Sequence, residues 1–387
     1  MKTSVDRILT THTGSLPRPD DLLQLMYAKE DGKAEPRVVE AGVRDAVTWA
    51  VRKQAEAGVD VLNDGEMSKI GYSTYVKDRL TGFEGEGALM GLPEMGDFPE
   101  WGQRMFAELG HGMEYVRTPA CVGPIKVKDR EQVKRDIENL TVATQGVKAE
   151  DVFMSAASPG VIALFFANQH YPSREAYLAA IADAMKEEYE AIAGAGFVLQ
   201  LDCPDLAMGR HLQFAGSTLE EFRREARRNV EALNHATSRI PPEQLRMHLC
   251  WGNYEGPHHL DVPLKDVVDI VLAARPSGIS VEACNPRHAH EWRLFEEVKL
   301  PDEKVLIPGV IDSTTNYVEH PEVVAQRLLN YARVVGQERV MAGSDCGFGT
   351  FAGVSAVDPK ITWAKLQSMA EGARLATQEL RTPVRRA

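Results

Sequence analysis

Eight short β-prone runs, with room for an amphipathic helix between most of them, constrain this chain more than any other feature. The runs are "RILTTH" (7–12), "VDVLND" (59–64), "DVFMSA" (151–156), "FVLQLD" (197–202), "LRMHLC" (245–250), "GISVEA" (278–283), "KVLIPGVI" (304–311) and "RVMAGSDC" (339–346). Helical spacing of apolar residues predicts helices over 37–57, 173–195, 217–237, 263–275, 288–298 and 321–335, with a closing helix over 358–378. Near-continuous apolar strands alternating with helices are the pattern of a parallel sheet covered on both faces. With eight of them the expected fold is α/β, a (β/α)8 TIM barrel. The competing arrangement, a doubly wound open sheet, lacks the Gly-rich phosphate loop after an early strand.

The 387 residues are read as one barrel domain, 1–387, with an extended insertion after strand two over about 65–150. That stretch is longer than one βα unit needs and includes "TGFEGEGALMGLPEMGDFPEWG", rich in Gly, Pro and acidic residues. A formal net charge of −12 argues against a nucleic-acid partner, and the only basic run is the terminal "RTPVRRA". The N-terminus has no signal-peptide pattern and no apolar run reaches membrane-spanning length, so no membrane is expected and a cytoplasmic location is. In that compartment five scattered cysteines point to buried thiols, metal ligands or catalysis rather than disulfides.

Polar residues gather where the strands end: "THTGSLPRP", "NDGEMSK", "LDCPD", "HLCWGN", "EACNP", "IDSTTN" and "SDCGFG". The C-terminal ends of barrel strands converge on the mouth where barrel enzymes do their chemistry. On this fold His12, Ser15, Asp64, Glu66, Asp202, His248, Cys250, Glu282 and Cys346 share one cavity. His248 and Cys250 are two apart on a strand and point to one face, and Cys346 joins them from strand eight. One imidazole and two thiolates suit Zn2+, with Glu282 able to fill a displaceable fourth place. An HxC pair has less spacing specificity than paired CxxC motifs, so a buried histidine beside two buried thiols is the competing reading.

Taken together and in order, "TTHTGSLPRP", "NDGEMSKIGY", "LQLDCPD", "HLCWGN", "SVEACNP", "PGVIDSTTNYVEHP" and "SDCGFGT" resemble the catalytic barrel of the cobalamin-independent methionine synthase family, which includes the epoxyalkane:coenzyme M transferases. The resemblance implies a zinc-dependent methyl- or alkyltransferase that activates a small-molecule thiol as its zinc thiolate. It implies His248, Cys250 and Cys346 as zinc ligands and Glu282 as the displaceable fourth. It also implies that Ser15 meets the substrate carboxylate, and that Glu66 and Asp202 grip a substrate ammonium. Arg18, with its fork of donors, is a candidate for an anionic head group. His12, Glu66 and Asp202 are the candidate catalytic groups. The expected partners are a small-molecule thiol and an alkyl donor, and assembly into a homo-oligomer is allowed.

The chain departs from the family pattern in two positions that bear on the donor. Thr314 stands where the family has its acid histidine, which makes methyltetrahydrofolate a doubtful donor, and Cys203 replaces the acidic residue beside Asp202. For epoxide opening, the alternative reaction, proton donors would be His12, Tyr72, Tyr75 or Tyr317. A further alternative is a metal-free lyase resembling uroporphyrinogen decarboxylase, which leaves the HxC…C set without a purpose.

Overall fold

The computed structural model describes residues 1–85, 87, 91–108 and 114–382. Residues 383–387 of the basic terminus, and 86, 88–90 and 109–113 of the expected insertion, lie outside that set. The strands are β1 (Val61–Leu62), β2 (Phe83–Glu84), β3 (Ala120–Cys121), β4 (Asp151–Ala157), β5 (Val198–Asp202), β6 (Leu245–His248), β7 (Gly278–Val281), β8 (Val305–Ile311) and β9 (Gly343–Ser344). Seven of them form one parallel sheet in the order β1-β4-β5-β6-β7-β8-β9, while β2 and β3 pair as a separate antiparallel ribbon.

The first β-prone run closes the ring. Thr10 bridges Ala342 in parallel. Thr11 N–H donates to the Ala342 carbonyl and Ala342 N–H to that of Leu9, each at 2.8 Å, while Val61 N–H reaches the Thr10 carbonyl at 3.0 Å. Leu9–Thr11 thus stands between β9 and β1 as the eighth stave of a (β/α)8 barrel. It is shorter than the predicted strand because the Asp60 carboxylate takes the Thr10 N–H, at 2.9 Å, in place of a backbone acceptor.

The outer helices form where the apolar period predicts them, and caps fix several of their starts. Pro36–Glu56 buries Val39, Val43, Val47, Ala50 and Val51 on one stripe. Arg174–Gly194 starts at Ser173, whose hydroxyl accepts the Ala176 N–H, and Leu219–Ala236 starts at a Thr218–Glu221 capping box. Pro321–Val335 and Pro359–Arg381 each place proline in the first turn, where its missing N–H costs nothing. The predicted 263–275 and 288–298 helices are each split into a 3-10 turn and a shorter α-helix. No helix among the described residues is long and apolar enough to cross a membrane.

Alternation along the strands sorts the barrel interior into tiers. Leu9, Val61, Phe153, Val198, Ile307 and Met341 form the lower, apolar plug. Above it Arg246 lies fully buried, its guanidinium 3.6 Å from the centre of the Phe153 ring. It donates to Gln200 Oε1, Thr11 Oγ1 and the His12 carbonyl. Two residues further along each strand, on the same inward face, come Asp202 and His248, which are register partners. The polar tier therefore sits at the C-terminal mouth because the plug has already filled the opposite end.

Candidate active site

A cavity of about 1200 Å3 opens at that mouth, and its wall includes Ser15, Glu66, Asp202, His248, Cys250 and Cys346. The donor atoms of His248, Cys250 and Cys346 all lie within 4.8 Å of one another, and all three residues are buried. Cys250 Sγ and Cys346 Sγ are 3.2 Å apart and unbridged. Two sulfurs on a tetrahedral ion at Zn–S distances of about 2.3 Å stand about 3.8 Å apart, a difference that modest side-chain rotation covers. His248 Nδ1 faces Ser280 Oγ at 3.2 Å, which leaves Nε2 as the free ligand atom and fixes the ring. Burial, and then the charge of Arg246, push the His248 pKa down to about 3, so the imidazole is neutral, as a metal ligand must be. The Cys346 thiol is pushed well above its usual range by its bond to Cys250 and by burial, a state that a bound cation would reverse. The donor set fits zinc.

Glu282 stands at the edge of this cluster. Its Oε1 accepts the Trp251 N–H at 2.8 Å and lies 3.8 Å from Cys346 Sγ, and Asn285 Nδ2 donates to Oε2. The loop that follows Glu282 is pinned by Asp345, whose carboxylate accepts the N–H groups of Ala283, Cys284 and Asn285 at 2.6–2.9 Å. Asp345 thus holds the Glu282 turn in place through its backbone. Trp251 packs beneath the site, its indole N–H on the Val262 carbonyl, and does not wall the cavity. The Cys284 thiol points away towards Glu319.

The second polar group of the cavity is a carboxylate pair. Ser155 Oγ donates to Glu66 Oε1 at 2.6 Å, while Glu66 Oε2 is buried without a partner. Asp202 accepts from Gln200 Nε2 at 2.8 Å. Burial, and then the nearby Glu66 charge, raise the Asp202 pKa to about 8. Two buried acids, one with an orphaned oxygen, are able to accept a cation beyond the buried Lys69 ammonium, whose charge offsets part of the Asp202 rise. Glu66 is held there in a left-handed backbone conformation, φ 57°, with its N–H on Asp64 Oδ1. Asp64 therefore caps the turn.

Besides Asp64 and Glu282, which stand just outside the cavity wall, two further expected site residues, His12 and Arg18, are not in it. His12 donates through Nε2 to Gln54 Oε1 and accepts the Gly14 N–H through Nδ1. Both nitrogens are consumed, so His12 is a buttress for the Gly14 turn and cannot exchange a proton with a substrate. Arg18 spends its guanidinium on the carbonyls of Gly349, Glu66 and Lys69 at 2.6–2.9 Å, which ties the Glu66 turn to the loop after β9 and leaves no fork for an anion. Polar side chains at strand ends can turn back into neighbouring loops, and these two do.

Of the tyrosines, Tyr75 donates to Glu188 away from the cavity, whereas Tyr72 and the exposed Tyr317 line it. The Tyr72 phenol is pushed well above its usual pKa by burial and then by Cys250, Asp202 and Cys346, so it remains protonated beside the triad. Thr314 also lines the cavity, with its hydroxyl and N–H both on Asp312 Oδ1. Cys203 is buried outside the wall. Sequence reasoning missed Asn253, which spans the mouth from Ser313 to Gly347 and Thr350. It also missed a buried group of Glu94, His211 and Asp261. These residues come from separate short helices and loops, with no shared spacing to reveal them.

The family model for the cobalamin-independent synthase catalytic domain matches residues 103–374. Methionine synthase of Pyrococcus furiosus is 27% identical over 375 residues, 96% of this chain and 93% of that protein. Methionine synthase of Thermococcus kodakarensis is 26% identical over 375 residues, 96% and 94% of the two chains. Among solved structures, a B12-independent methionine synthase from Shewanella sp. W3-18-1 in complex with selenomethionine aligns with a TM-score of 0.72. That alignment has 20% identity and covers 97% of this chain and 99% of the other. A B12-independent methionine synthase from Listeria monocytogenes, described as putative, aligns with a TM-score of 0.64 over 95% and 98% at 18% identity. These structural likenesses establish the barrel fold.

Proposed function

The chain belongs to the cobalamin-independent synthase catalytic-domain family, and on that premise we propose that it is a zinc-dependent transferase that alkylates the sulfur of a small aminothiol. The observation that carries this reading is the convergence of His248, Cys250 and Cys346 on one point of the cavity wall. A zinc ion held by His248 Nε2 and the two cysteine sulfurs, with Glu282 as displaceable neighbour, would keep a substrate thiol deprotonated and nucleophilic at neutral pH.

The remaining work falls to the chain's own side chains. Glu66 Oε2 and Asp202 receive the substrate ammonium, which supplies the partner that Glu66 Oε2 lacks. Ser15, on the same wall, meets the substrate's carboxylate. Together these contacts fix the sulfur at the triad and convert alkyl transfer into an oriented, effectively unimolecular step. Phe165 and Phe351 pack edge-on against Tyr72 and give the mouth an apolar side that sheds water from the thiolate.

The alkyl donor follows from Thr314. Its hydroxyl is committed to Asp312 and has no acid strength, so a leaving group that needs protonation from this position is poorly served. Tyr72 is the proton donor within reach of the triad, suited to a strongly basic leaving oxygen. The donor is accordingly proposed to differ from methyltetrahydrofolate. A metal-free lyase would leave the convergent triad unused.

A matrix of thiols (homocysteine, coenzyme M, glutathione, simple mercaptans) against methyl donors and epoxides, read by loss of free thiol, tests the proposal. Zinc-dependent consumption of an aminothiol is expected. Loss of no thiol with any donor, or equal loss after zinc removal, would contradict it.

A further inference from the structure

A second convergence of ligand-type side chains lies behind the cavity wall. Glu94 belongs to the short helix Glu94–Asp97, His211 to Gly209–Leu212 after β5, and Asp261 to the loop after β6. One donor atom from each lies within 4.8 Å of the other two. All three are buried, with relative exposures of 0%, 2% and 8%. His211 Nδ1 and Asp261 Oδ1 are 3.5 Å apart, and two donors on a tetrahedral zinc at about 2.1 Å would stand about 3.4 Å apart.

The hydrogen bonds divide each carboxylate in the same way. Asp261 Oδ2 faces His258 Nδ1 at 2.9 Å and His288 Nε2 at 3.0 Å, while Oδ1 has no hydrogen-bond partner. Glu94 Oε1 accepts from the Tyr254 hydroxyl at 2.8 Å, while Oε2 has none. Between those two bare oxygens sits an imidazole with neither nitrogen hydrogen-bonded. Four buried polar atoms without hydrogen bonds at one point would be costly. Carboxylates oriented by outer donors, with their other oxygens converging on an imidazole free of hydrogen bonds, are how metal ligands are prepared.

The geometry points to a second metal site, in which Glu94 Oε2, His211 and Asp261 Oδ1 bind a divalent transition-metal ion of the zinc class. One nitrogen and two oxygens distinguish it from the sulfur-rich triad and suit zinc, manganese or ferrous iron. The site is independent of the proposed transferase chemistry. Its role is structural: it ties the Glu94 helix to the short helix carrying His211 and to the loop carrying Asp261. Met95, Met208 and Tyr254, each adjacent in sequence or bonded to this group, line the cavity, so the ion would hold one side of the substrate chamber in place.

The test is metal content by mass spectrometry on the full chain after exhaustive dialysis, with zinc, manganese and iron all counted. The unmutated protein should hold about two equivalents, and Cys250→Ser/Cys346→Ser about one. In that double-variant background, Glu94→Gln, which keeps an acceptor for Tyr254, and His211→Phe should each reduce the remainder to about a tenth or less. Added zinc should raise the unfolding midpoint of the Cys250→Ser/Cys346→Ser protein and leave that of its Glu94→Gln derivative unchanged. One equivalent in the unmutated chain that is lost with the two cysteines, or an ion retained through both Glu94→Gln and His211→Phe, would overturn the inference. Failure of the thiol triad to bind metal would leave the Glu94-dependent equivalent in place, so the two readings fail separately.

Discussion

Glu66 and Asp202 show how far a single residue's surroundings decide its chemistry. Each is an ordinary acid in sequence; buried together, one with an unpartnered oxygen, they are the pair proposed to receive the substrate ammonium. Asp202→Asn should therefore weaken an aminothiol by about 1.5–3 kcal/mol, roughly 10–150-fold, and leave an amino-free thiol almost unaffected. Competitive binding of homocysteine and its amino-free analogue measures the difference; equal losses would remove the ammonium from the account. The strand-end pattern pointed to Glu66, Asp202, His248, Cys250 and Cys346 at the mouth: alternation carries Asp202 and His248 there, and Glu66, Cys250 and Cys346 reach it from the turns just beyond their strands. It failed at His12 and Arg18, since alternation gives the face of a strand but not whether the side chain beyond it meets cavity or backbone. Asp261 was hidden for a different reason: its partners Glu94 and His211 lie on two short helices elsewhere in the chain, and nothing local marks the three as a set.

At the scale of elements, the ligand geometry depends on how β7, β8 and β9 fit together. Asp345 follows β9 and gathers three N–H groups of the turn carrying Glu282, and it can do so because Gly309 in β8 has no side chain. A Cβ at Gly309 would lie 2.1 Å from Asp345 Oδ1 and 2.5 Å from its backbone nitrogen. Gly309→Ala should cost about 1–3 kcal/mol of stability through overpacking and release Glu282 from its place beside Cys346. The expected result is a lowered unfolding midpoint together with weaker zinc retention, followed by chelator competition. By contrast, Thr218→Ala removes a capping box on an outer helix and should cost about 1 kcal/mol without changing zinc affinity. If both variants changed only stability, the β8–β9 contact would have no part in the site. The helix positions themselves were legible from apolar periodicity. The splits at 263–275 and 288–298 were not, because they arise from tertiary contacts such as Glu291 Oε1 accepting the Leu264 N–H.

For the whole molecule, closure of the ring is the decisive event. The lower plug brings together side chains from Leu9 to Met341, and the N-terminal segment hydrogen-bonds to both β1 and β9. Deleting residues 1–11 opens the barrel edge and removes Leu9 from the plug. That variant should lose cooperative thermal unfolding altogether, not merely show a lower midpoint, as read by calorimetry. The fold class was legible because the β-helix beat runs the length of the chain. The brevity of the first stave was not, since it reflects Asp60 capturing a backbone donor that a strand would have used.

The central claim is that the triad holds a metal ion to which a substrate sulfur adds as a third thiolate. Cobalt substituted at this site reports it directly, because only thiolate ligands give sulfur-to-cobalt charge transfer in the near ultraviolet. Titration with the acceptor thiol should raise that absorbance by about half, as two sulfur ligands become three, with one proton released per thiol bound. An absorbance that does not change at saturating thiol, or the same rise in a protein lacking Cys250 and Cys346, would contradict the account.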